Sequence, residues 1–256
     1  MSETRPTGGD PAPRQRGRPR GRPRGRTAQG DATRRRLYEA AVRLIAERGW
    51  QETTLREVAK EAGVSVGLLY RYFPSKRAVV LALYDELSLA YTAKAADLPG
   101  GRWQDRFLHA LRTSLDVLRP HRKTLGELVP ILGGTANEGL FAPSTAFSRL
   151  RVQTVFVQAV VDATNAPRGD TGPALGRLLY LFHLAVLLWW LLDKSPEQRA
   201  TQALFTLTGR ALRFASPALR VPGVPGLLIA ADALVSDAFL NEPEEEQSTR
   251  PSGMSR

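Results

Sequence analysis

The sequence predicts an all-α protein. Apolar residues recur at helical spacing through most of the 256 residues, and proline or glycine separates the segments that contain them. No stretch shows the alternation of apolar and polar residues that indicates a half-buried strand. Beyond residue 100 the predicted helices lie at about 102–119, 121–133, 144–166, 172–193, 196–215 and 224–240.

Residues 54–76 contain the signals of a helix–turn–helix. Thr54 and Glu57 have the spacing of a capping box, in which each side chain satisfies a free backbone N–H at a helix start. Gly63 follows this helix, where glycine adopts the left-handed conformation at little steric cost. Ser65 is then a good N-cap for a second helix.

The second helix of the motif is predicted at 66–72. Leu69 and Phe73 stand at i and i+4 and are expected to face inward. Pro74 cannot continue the helix, and Ser75 caps a third element. The positions expected to face outward are Val66, Gly67, Leu68, Arg71 and Tyr72. A short helix with so much exposed surface requires a binding partner.

This pattern closely resembles the DNA-binding domain of the TetR family of transcriptional regulators, over about residues 31–83. The residues that carry the resemblance are Gly63, Val64, Ser65, Gly67, Leu69, Tyr70, Phe73, Ser75 and Lys76. The resemblance implies a homodimeric repressor with a helical body. It further implies that a small hydrophobic effector, bound in the body, releases the protein from its operator in duplex DNA.

The helix–turn–helix supplies the expected DNA contacts. Arg56 is expected to reach a base or a phosphate, and Val66 and Leu68 offer apolar contact to thymine methyl groups. Contacts to phosphates set the register on DNA, and they are expected from Thr54, Tyr70, Tyr72 and Lys76. The complete set of predicted DNA contacts is Thr54, Arg56, Ser65, Val66, Gly67, Leu68, Tyr70, Arg71, Tyr72 and Lys76.

Most of the net charge of +11 lies beside this motif. The first 30 residues carry eight arginines against two acidic residues, and residues 31–80 carry ten basic against six acidic residues. The remaining residues are close to neutral, so the field attracts a polyanion to one end of the chain. An acidic membrane surface is the competing partner, although it would not need a recognition helix.

The basic N-terminal tail contains two copies of R-G-R-P, within residues 14–26. Its glycine and proline content predicts disorder in the free protein. The pattern resembles the AT-hook, in which arginines insert into a narrow A·T minor groove. The arginines of the two copies are Arg16, Arg18, Arg20 and Arg22. A nonspecific polybasic arm that contacts phosphates is the equally weighted alternative.

After the motif, a long helix through Val79, Leu83, Leu87 and Tyr91 is expected to connect the head to the body, and Pro99-Gly100-Gly101 ends it. The segment 172–193 is apolar around nearly its whole circumference, so one neighbour cannot cover it. The resemblance implies that 172–193 and 196–215 pair with a second subunit. The candidate interface residues are Leu188, Leu191, Phe205 and Leu212.

The resemblance also implies a ligand cavity among the earlier body helices. Such a cavity is lined mainly by large apolar groups and a few polar ones. The candidates are Trp103, Phe107, Phe147, Phe156, Tyr180 and His183, with His109, Trp189 and Trp190 as further members. Each of these side chains also fits plain core packing.

The sequence also argues against a membrane protein, a secreted protein, a disulfide-bonded protein and a metalloprotein. The apolar run 178–192 is shorter than the roughly 20 residues of a spanning helix, the N-terminus has no apolar signal region, and the chain has no cysteine. His109, His121 and His183 lack metal-ligand spacing. We therefore expect a cytoplasmic protein without membrane anchor, metal or other cofactor.

The expected organisation is a disordered basic tail at 1–30, a helix–turn–helix domain at 31–83, a ligand-binding and dimerisation domain at 84–240 and a polar tail at 241–256. Two other functions remain as alternatives. One is an architectural DNA-binding protein dominated by its basic tail. The other is an enzyme with a helical body, although the chain has no recognisable nucleophile–base pair, phosphate loop or metal cluster.

Overall fold

The computed structural model describes residues 28–132 and 140–240, and these residues form an all-α fold, as predicted. The predicted basic tail with Arg16, Arg18, Arg20 and Arg22 and the polar tail at 241–256 lie outside the described residues. The helices are α1 (Ala28–Arg48), α2 (Leu55–Glu61), α3 (Val66–Tyr72), α4 (Lys76–Lys94), α5 (Trp103–Leu118), α6 (Arg122–Leu132), α7 (Ala146–Val161), α8 (Thr171–Leu192), α9 (Arg199–Ala218) and α10 (Val224–Val235). A π-helical turn, Ser236–Leu240, follows α10.

The described residues build two apolar cores. The head core gathers α1, α2, α3 and the first half of α4, and Leu128 of α6 joins it from the body side. The body core gathers the end of α4 with α5, α7, α8 and α9. Helix α4 therefore belongs to both cores, with Leu83 and Leu87 in the head and Tyr91 in the body.

Helices α7 and α8 form the closest pair in the body. A Cβ atom added to Gly176 of α8 would lie 2.5 Å from Val157 Cα and 3.2 Å from Phe156 O. Real Cβ atoms do not approach backbone that closely, so the absence of a side chain at Gly176 allows the two helices to pack together. This contact buries one long side of the apolar helix α8.

The helix predicted at 144–166 is shorter in the structure, because α7 ends at Val161. Residues beyond this helix cap α5 instead of extending α7. The side chain of Asn165 accepts a hydrogen bond of 2.8 Å from the backbone N–H of Trp103, and the N–H of Thr164 donates to Gly101 O at 2.9 Å. Asn165 thus satisfies a free backbone N–H at the start of α5 and does not continue α7.

Helix α10 covers part of α8. Asp232 of α10 is buried and accepts a bidentate pair of hydrogen bonds from Arg177 of α8, with Nε–Oδ1 at 2.9 Å and Nη2–Oδ2 at 2.5 Å. Bidentate geometry fixes the relative orientation of the two side chains. Most apolar residues of α10, including Leu227 and Leu234, are nevertheless exposed.

Helix α8 is the one helix in residues 28–132 and 140–240 that is long and apolar enough to cross a bilayer. Its best 18-residue window has a mean hydropathy of 1.8, and a third of that window is buried inside the protein. Its contacts with α7 and α10 show that protein surfaces cover much of it. A core helix of a soluble domain passes the same test.

Candidate nucleic-acid interface and effector region

The capping signals of the helix–turn–helix are present as predicted. The Glu57 N–H donates to Thr54 Oγ1 at 3.3 Å, and the Thr54 N–H donates to Glu57 Oε2 at 2.9 Å, which completes a capping box. Gly63 has a φ of +66°, a conformation that L side chains rarely adopt. Ser65 Oγ then accepts from the Leu68 N–H at 3.2 Å and caps α3.

Helix α3 is held by its inner face and leaves its outer face free. Leu69 and Phe73 are buried in the head core, as predicted. Leu68 and Tyr72 are half-buried, and Tyr72 packs against that core. The outer surface carries Val66, Gly67, Tyr70 and Arg71, all of them exposed. The structure thus presents a rigid helical edge with small, apolar, aromatic and cationic groups.

Two arginines connect α1 to α2. Arg48 Nη1 lies 3.1 Å from Glu57 Oε1, and Arg43 donates to Glu61. Both pairs are exposed, and such pairs contribute little to stability, about 0–1 kcal/mol each. They neutralise two acidic residues of α2. Arg56 and Arg71 are exposed and have no hydrogen bond or ion pair among the described residues, so their charge is available to a partner.

Lys76 begins α4 and already has protein contacts. Its ammonium group donates to Trp50 O, reaches Gln51 O at 3.5 Å and lies 4.3 Å from the centroid of the Trp50 ring. Partial burial lowers the pKa of Lys76. The sequence pattern did not indicate this role, which fixes the turn between α1 and α2 against α4. A phosphate contact by Lys76 stays a prediction.

The predicted ligand-pocket residues of the body are packed together in its core. Trp103, Phe107, Phe156, Tyr180 and His183 are all buried there. Phe147 lies apart from this core and is 74% exposed on α7. It is the second residue of that helix, and the inward side of this turn is occupied by the buried Ser148 and Arg149.

Several polar atoms in the body core have no hydrogen-bond partner among the described residues. They are Tyr91 Oη, Trp103 Nε1, Tyr180 Oη and His183 Nδ1. A buried polar atom without a partner costs about 1–3 kcal/mol. Four such atoms in one core are therefore a strong departure from ordinary packing.

Two solvent-open grooves flank α9. The first has a volume of about 540 Å³ and lies between α5, the end of α8 and the start of α9, with Trp190 and Phe205 at its wall. The second has a volume of about 480 Å³ and runs along α5 and α9. The arginines that line one or both grooves are Arg102, Arg112, Arg119, Arg210 and Arg213. None of the six main pocket candidates lines either groove.

The profile described as "Bacterial regulatory proteins, tetR family" matches residues 37–83, which include α2, α3 and the start of α4. The chain therefore contains the N-terminal domain of the tetR family of bacterial regulatory proteins.

Curated relatives agree with this assignment over the N-terminal part. The HTH-type transcriptional repressor DrrR1 of Streptomyces coeruleorubidus is 32% identical over 107 residues, or 41% of this chain and 39% of the relative. The HTH-type transcriptional regulator AcrR of Shigella flexneri is 29% identical over 108 residues, or 40% of this chain and 49% of the relative. Each match spans less than half of the length of the relative.

Solved structures extend the likeness to the body. A TetR-family transcriptional regulator from Streptomyces coelicolor superposes with a TM-score of 0.56 at 22% identity, over 84% of this chain and 91% of the other. A TetR regulator from Nitrosomonas europaea gives a TM-score of 0.51 at 21% identity, over 71% and 98%. At this identity the likeness shows the fold alone. It shows that the TetR fold extends beyond the head.

The predicted dimer residues differ in their exposure. Leu188 is exposed on α8, and Leu191 is half-buried. Phe205 is only 9% exposed and belongs to the body core. Leu212 is half-buried and packs on the same core. Phe205, Thr208 and Leu212 follow helical spacing, so they define the inward side of α9.

The outward side of α9 carries a different apolar stripe. Leu207 and Phe214 are 64% and 74% exposed, stand seven residues apart and alternate with the exposed Ala203 and Ala211. Helix α8 has an exposed stripe of its own, formed by Phe182, Leu188, Trp189 and Leu192. Sequence periodicity alone could not say which of the two sides of α9 faces the core.

Arginines that sequence analysis missed fix helix ends inside the body. Arg106 is buried and donates to Ala159 O at 3.0 Å and Gln158 O at 3.1 Å, at the end of α7. Arg122 donates to Trp190 O at 2.9 Å and Asp193 O at 2.8 Å, at the end of α8. Cations near helix C-termini hydrogen-bond to free carbonyls and interact favourably with the helix dipole. Their charge is thus used within the subunit.

Proposed function

We propose that the chain is a cytoplasmic transcriptional repressor that binds an operator as a homodimer and leaves it when a small molecule binds the body. The observation that carries the proposal is the exposed edge of α3. Its N-terminus is capped, its inner side is buried, and its outer side offers Val66, Gly67, Tyr70 and Arg71. A helix presented in this way fits the major groove of duplex DNA.

Different side chains would have different roles on DNA. Val66 and Leu68 would offer apolar contact to thymine methyl groups, and Gly67 would let the backbone approach the base edges. Tyr70 and Tyr72 would bind phosphates, with Thr54, Ser65 and Lys76 at the adjoining helix starts. Arg56 and Arg71 have free guanidinium groups for a base or a phosphate.

The apolar stripes on α8 and α9 support the dimer. Each stripe is exposed in the single subunit, and exposed apolar patches of this kind mark interaction sites. A second subunit that covers both stripes would place two α3 helices on one side of the dimer, as two half-sites require.

Helix α4 would connect effector binding to DNA binding. Three residues separate it from the end of α3, and its last turns enter the body core. Asp85 of α4 accepts hydrogen bonds from Ser148 Oγ at 2.9 Å and Arg151 Nη1 at 3.0 Å, both on α7. A ligand that favours one body shape would therefore shift α4 and change the separation of the two α3 helices.

Selection of bound sequences from random duplexes tests the proposal. We expect a two-part site with half-sites about one helical turn apart. Val66→Ala should weaken the preference for thymine at one position of each half-site. Arg213→Ala, an exposed arginine of α9, serves as control and should leave the selected sequence unchanged. Enrichment of no sequence would contradict the proposal and favour an architectural protein.

The N-terminal tail would add a second contact on the same DNA molecule. Eight arginines in residues 1–30 precede α1 directly, and a tethered contact raises affinity through effective concentration. Deleting residues 1–27 should lower affinity and salt dependence but keep the selected core sequence. An effect of A·T-rich against G·C-rich flanks, lost on deletion, would indicate minor-groove insertion rather than a polybasic arm.

A further inference from the structure

Three of the four unpartnered polar groups of the body core lie on neighbouring aromatic side chains. Tyr91 Oη, Tyr180 Oη and His183 Nδ1 are buried and have no hydrogen-bond partner among the described residues. The other ring nitrogen of His183, Nε2, lies 2.8 Å from Ser114 Oγ. The Tyr180 hydroxyl lies near that of Tyr84 but makes no hydrogen bond of normal geometry with it. The three atoms therefore keep free hydrogen-bonding capacity.

The three side chains form one cluster. The rings of Tyr91 and His183 lie 6.3 Å apart and are nearly parallel, at 10°. The Tyr180 ring lies 6.1 Å from that of His183. Phe156 contacts all three, with centroid distances of 6.1 Å to Tyr91, 6.3 Å to Tyr180 and 4.6 Å to His183. The three unpartnered groups therefore belong to side chains that lie in one region of the body core.

The cluster carries no charge at neutral pH. Burial lowers the pKa of His183 to about 3 and raises the pKa of Tyr91 and of Tyr180. The buried guanidinium of Arg106 is committed to the carbonyls of Gln158 and Ala159. That of Arg149, which acts electrostatically on Tyr180, donates to Leu140 O and Thr145 Oγ1. A charged ligand in the cluster would lose its water shell without gaining an ion pair. A neutral ligand with hydrogen-bonding groups would not have this penalty.

A chain of ring contacts leads from the surface to the cluster. Phe182 is partly exposed, and its ring lies 6.1 Å from Phe107. Phe107 lies 5.9 Å from Phe156, which contacts the cluster. Displacement of these rings would open an apolar route for a ligand of similar size and shape.

We propose that Tyr91, Tyr180 and His183 bind the effector, and that this effector is a neutral ring compound with at least two hydroxyl or carbonyl groups. The inference rests on the proposed function, because it assigns the ligand class of the same effector-controlled body. Phenol hydroxyls both donate and accept, and the free imidazole nitrogen does one or the other according to its tautomer. The polar groups of such a compound would form hydrogen bonds with the two hydroxyls and the imidazole nitrogen, and its ring would contact the surrounding apolar side chains.

Four probes of equal ring size separate the ligand classes: naphthalene, naphthol, a naphthalenediol and naphthoate. Their affinities for the full chain are measured by calorimetry. Each hydrogen bond to a buried group is expected to add about tenfold, so the diol should bind about a hundredfold more tightly than naphthalene. Naphthoate should bind most weakly, because the buried guanidinium groups of Arg106 and Arg149 already have protein partners.

Tyrosine-to-phenylalanine variants test the hydroxyls themselves. Tyr91→Phe and Tyr180→Phe keep the ring and remove one free polar atom. Each should reduce the preference for the diol over naphthalene about tenfold. Without ligand, neither variant should be less stable than the wild type, because no hydrogen bond is lost. Tyr38→Phe, in the head core, is the matched control and should keep the full preference.

Four outcomes would overturn the inference. They are no binding of any probe, equal affinity for naphthalene and the diol, an unchanged preference in both cluster variants, and a loss of stability in these variants without ligand. The last outcome would mean that ordered water already satisfies the hydroxyls. Operator binding is measured separately without probe. If the chain selects no duplex but binds the diol through these hydroxyls, the regulatory function fails while the ligand site stands.

Discussion

At the scale of single residues, Lys76 combines a structural contact with a predicted DNA contact. Its ammonium group has three N–H donors, and the structure uses them on the carbonyls of Trp50 and Gln51. The same group lies over the Trp50 ring. Because the lysine holds the turn between α1 and α2, its loss affects the fold of the head as well as any phosphate contact.

We expect Lys76→Ala to lower the free energy of unfolding by about 1–2 kcal/mol, from the lost hydrogen bond and cation–π contact. It should also weaken all duplexes similarly and lower the salt slope of binding by about one. Urea unfolding and binding at several salt concentrations measure the two effects. Arg56→Ala, exposed and without partners, should leave stability unchanged. If Lys76→Ala unfolds at the same urea concentration as the wild type, the contacts of Lys76 with Trp50 and Gln51 do not stabilise the head.

Asp193 makes the stability of the α8–α9 turn dependent on pH. Its carboxylate accepts from Thr201 Oγ1 at 2.6 Å, from the Thr201 N–H at 2.9 Å and from the Ser195 hydroxyl at 2.7 Å. These hydrogen bonds, that of the Thr201 side chain first, lower the pKa of Asp193 well below its usual range. The depressed pKa means that this stabilisation is complete above the unfolded-state pKa and is lost as pH falls through the folded-state pKa.

Asp193→Asn should therefore be less stable than the wild type at pH 7, and the difference should shrink as the pH falls below about 4, the pKa of an unfolded aspartate. Urea midpoints of both proteins across this range measure the effect. Asp97→Asn, at an exposed position, is the control and should follow the wild type throughout. A difference that stays constant with pH would mean that the carboxylate charge is not what stabilises the turn.

At the scale of elements, the sequence predicted where helices lie better than it predicted which surfaces pack against each other. Thr54, Gly63 and Ser65 act within a few residues of themselves, so local chemistry was enough to locate α2 and α3. The sequence did not show that the side of α9 carrying Phe205 faces the body core, because amphipathic spacing does not say whether a partner lies in the same subunit. Hydrogen bonds such as those of Arg106 and Asn165 join residues more than fifty positions apart, which a single sequence does not reveal.

Gly176 and Gly126 give a matched test of how α7 and α8 pack. A Cβ atom at Gly176 would meet the backbone of Val157, whereas one at Gly126 of α6 would meet nothing within 4 Å. Gly176→Ala should cost about 1–3 kcal/mol or more, since two helix backbones must separate. Gly126→Ala should be neutral or stabilise by up to about 1 kcal/mol. Thermal unfolding compares them, and equal effects would refute the close approach.

At the scale of the whole molecule, the two cores share one helix. Leu83 and Leu87 fix α4 in the head, while Tyr91 fixes its far end in the body. The 19 residues of α4 extend about 28 Å, so a change at the ligand cluster reaches the head through one rigid element. The apolar stripes of α8 and α9 lie outside both cores, which leaves them available to a second subunit.

Charges placed on these stripes should separate the subunits without unfolding them. Leu188→Glu on α8 and Phe214→Glu on α9 introduce a carboxylate at positions that are exposed in the single subunit, so the monomer fold tolerates them. In a dry dimer interface the same charge would be buried without a partner, at a cost of several kcal/mol. Sedimentation should therefore give half the wild-type mass for each variant at micromolar concentration, with an unchanged helical circular dichroism spectrum. Leu227→Glu on the exposed side of α10 is the control and should stay dimeric. If Leu188→Glu and Phe214→Glu keep the wild-type mass while Leu227→Glu loses it, α10 rather than the α8 and α9 stripes forms the interface.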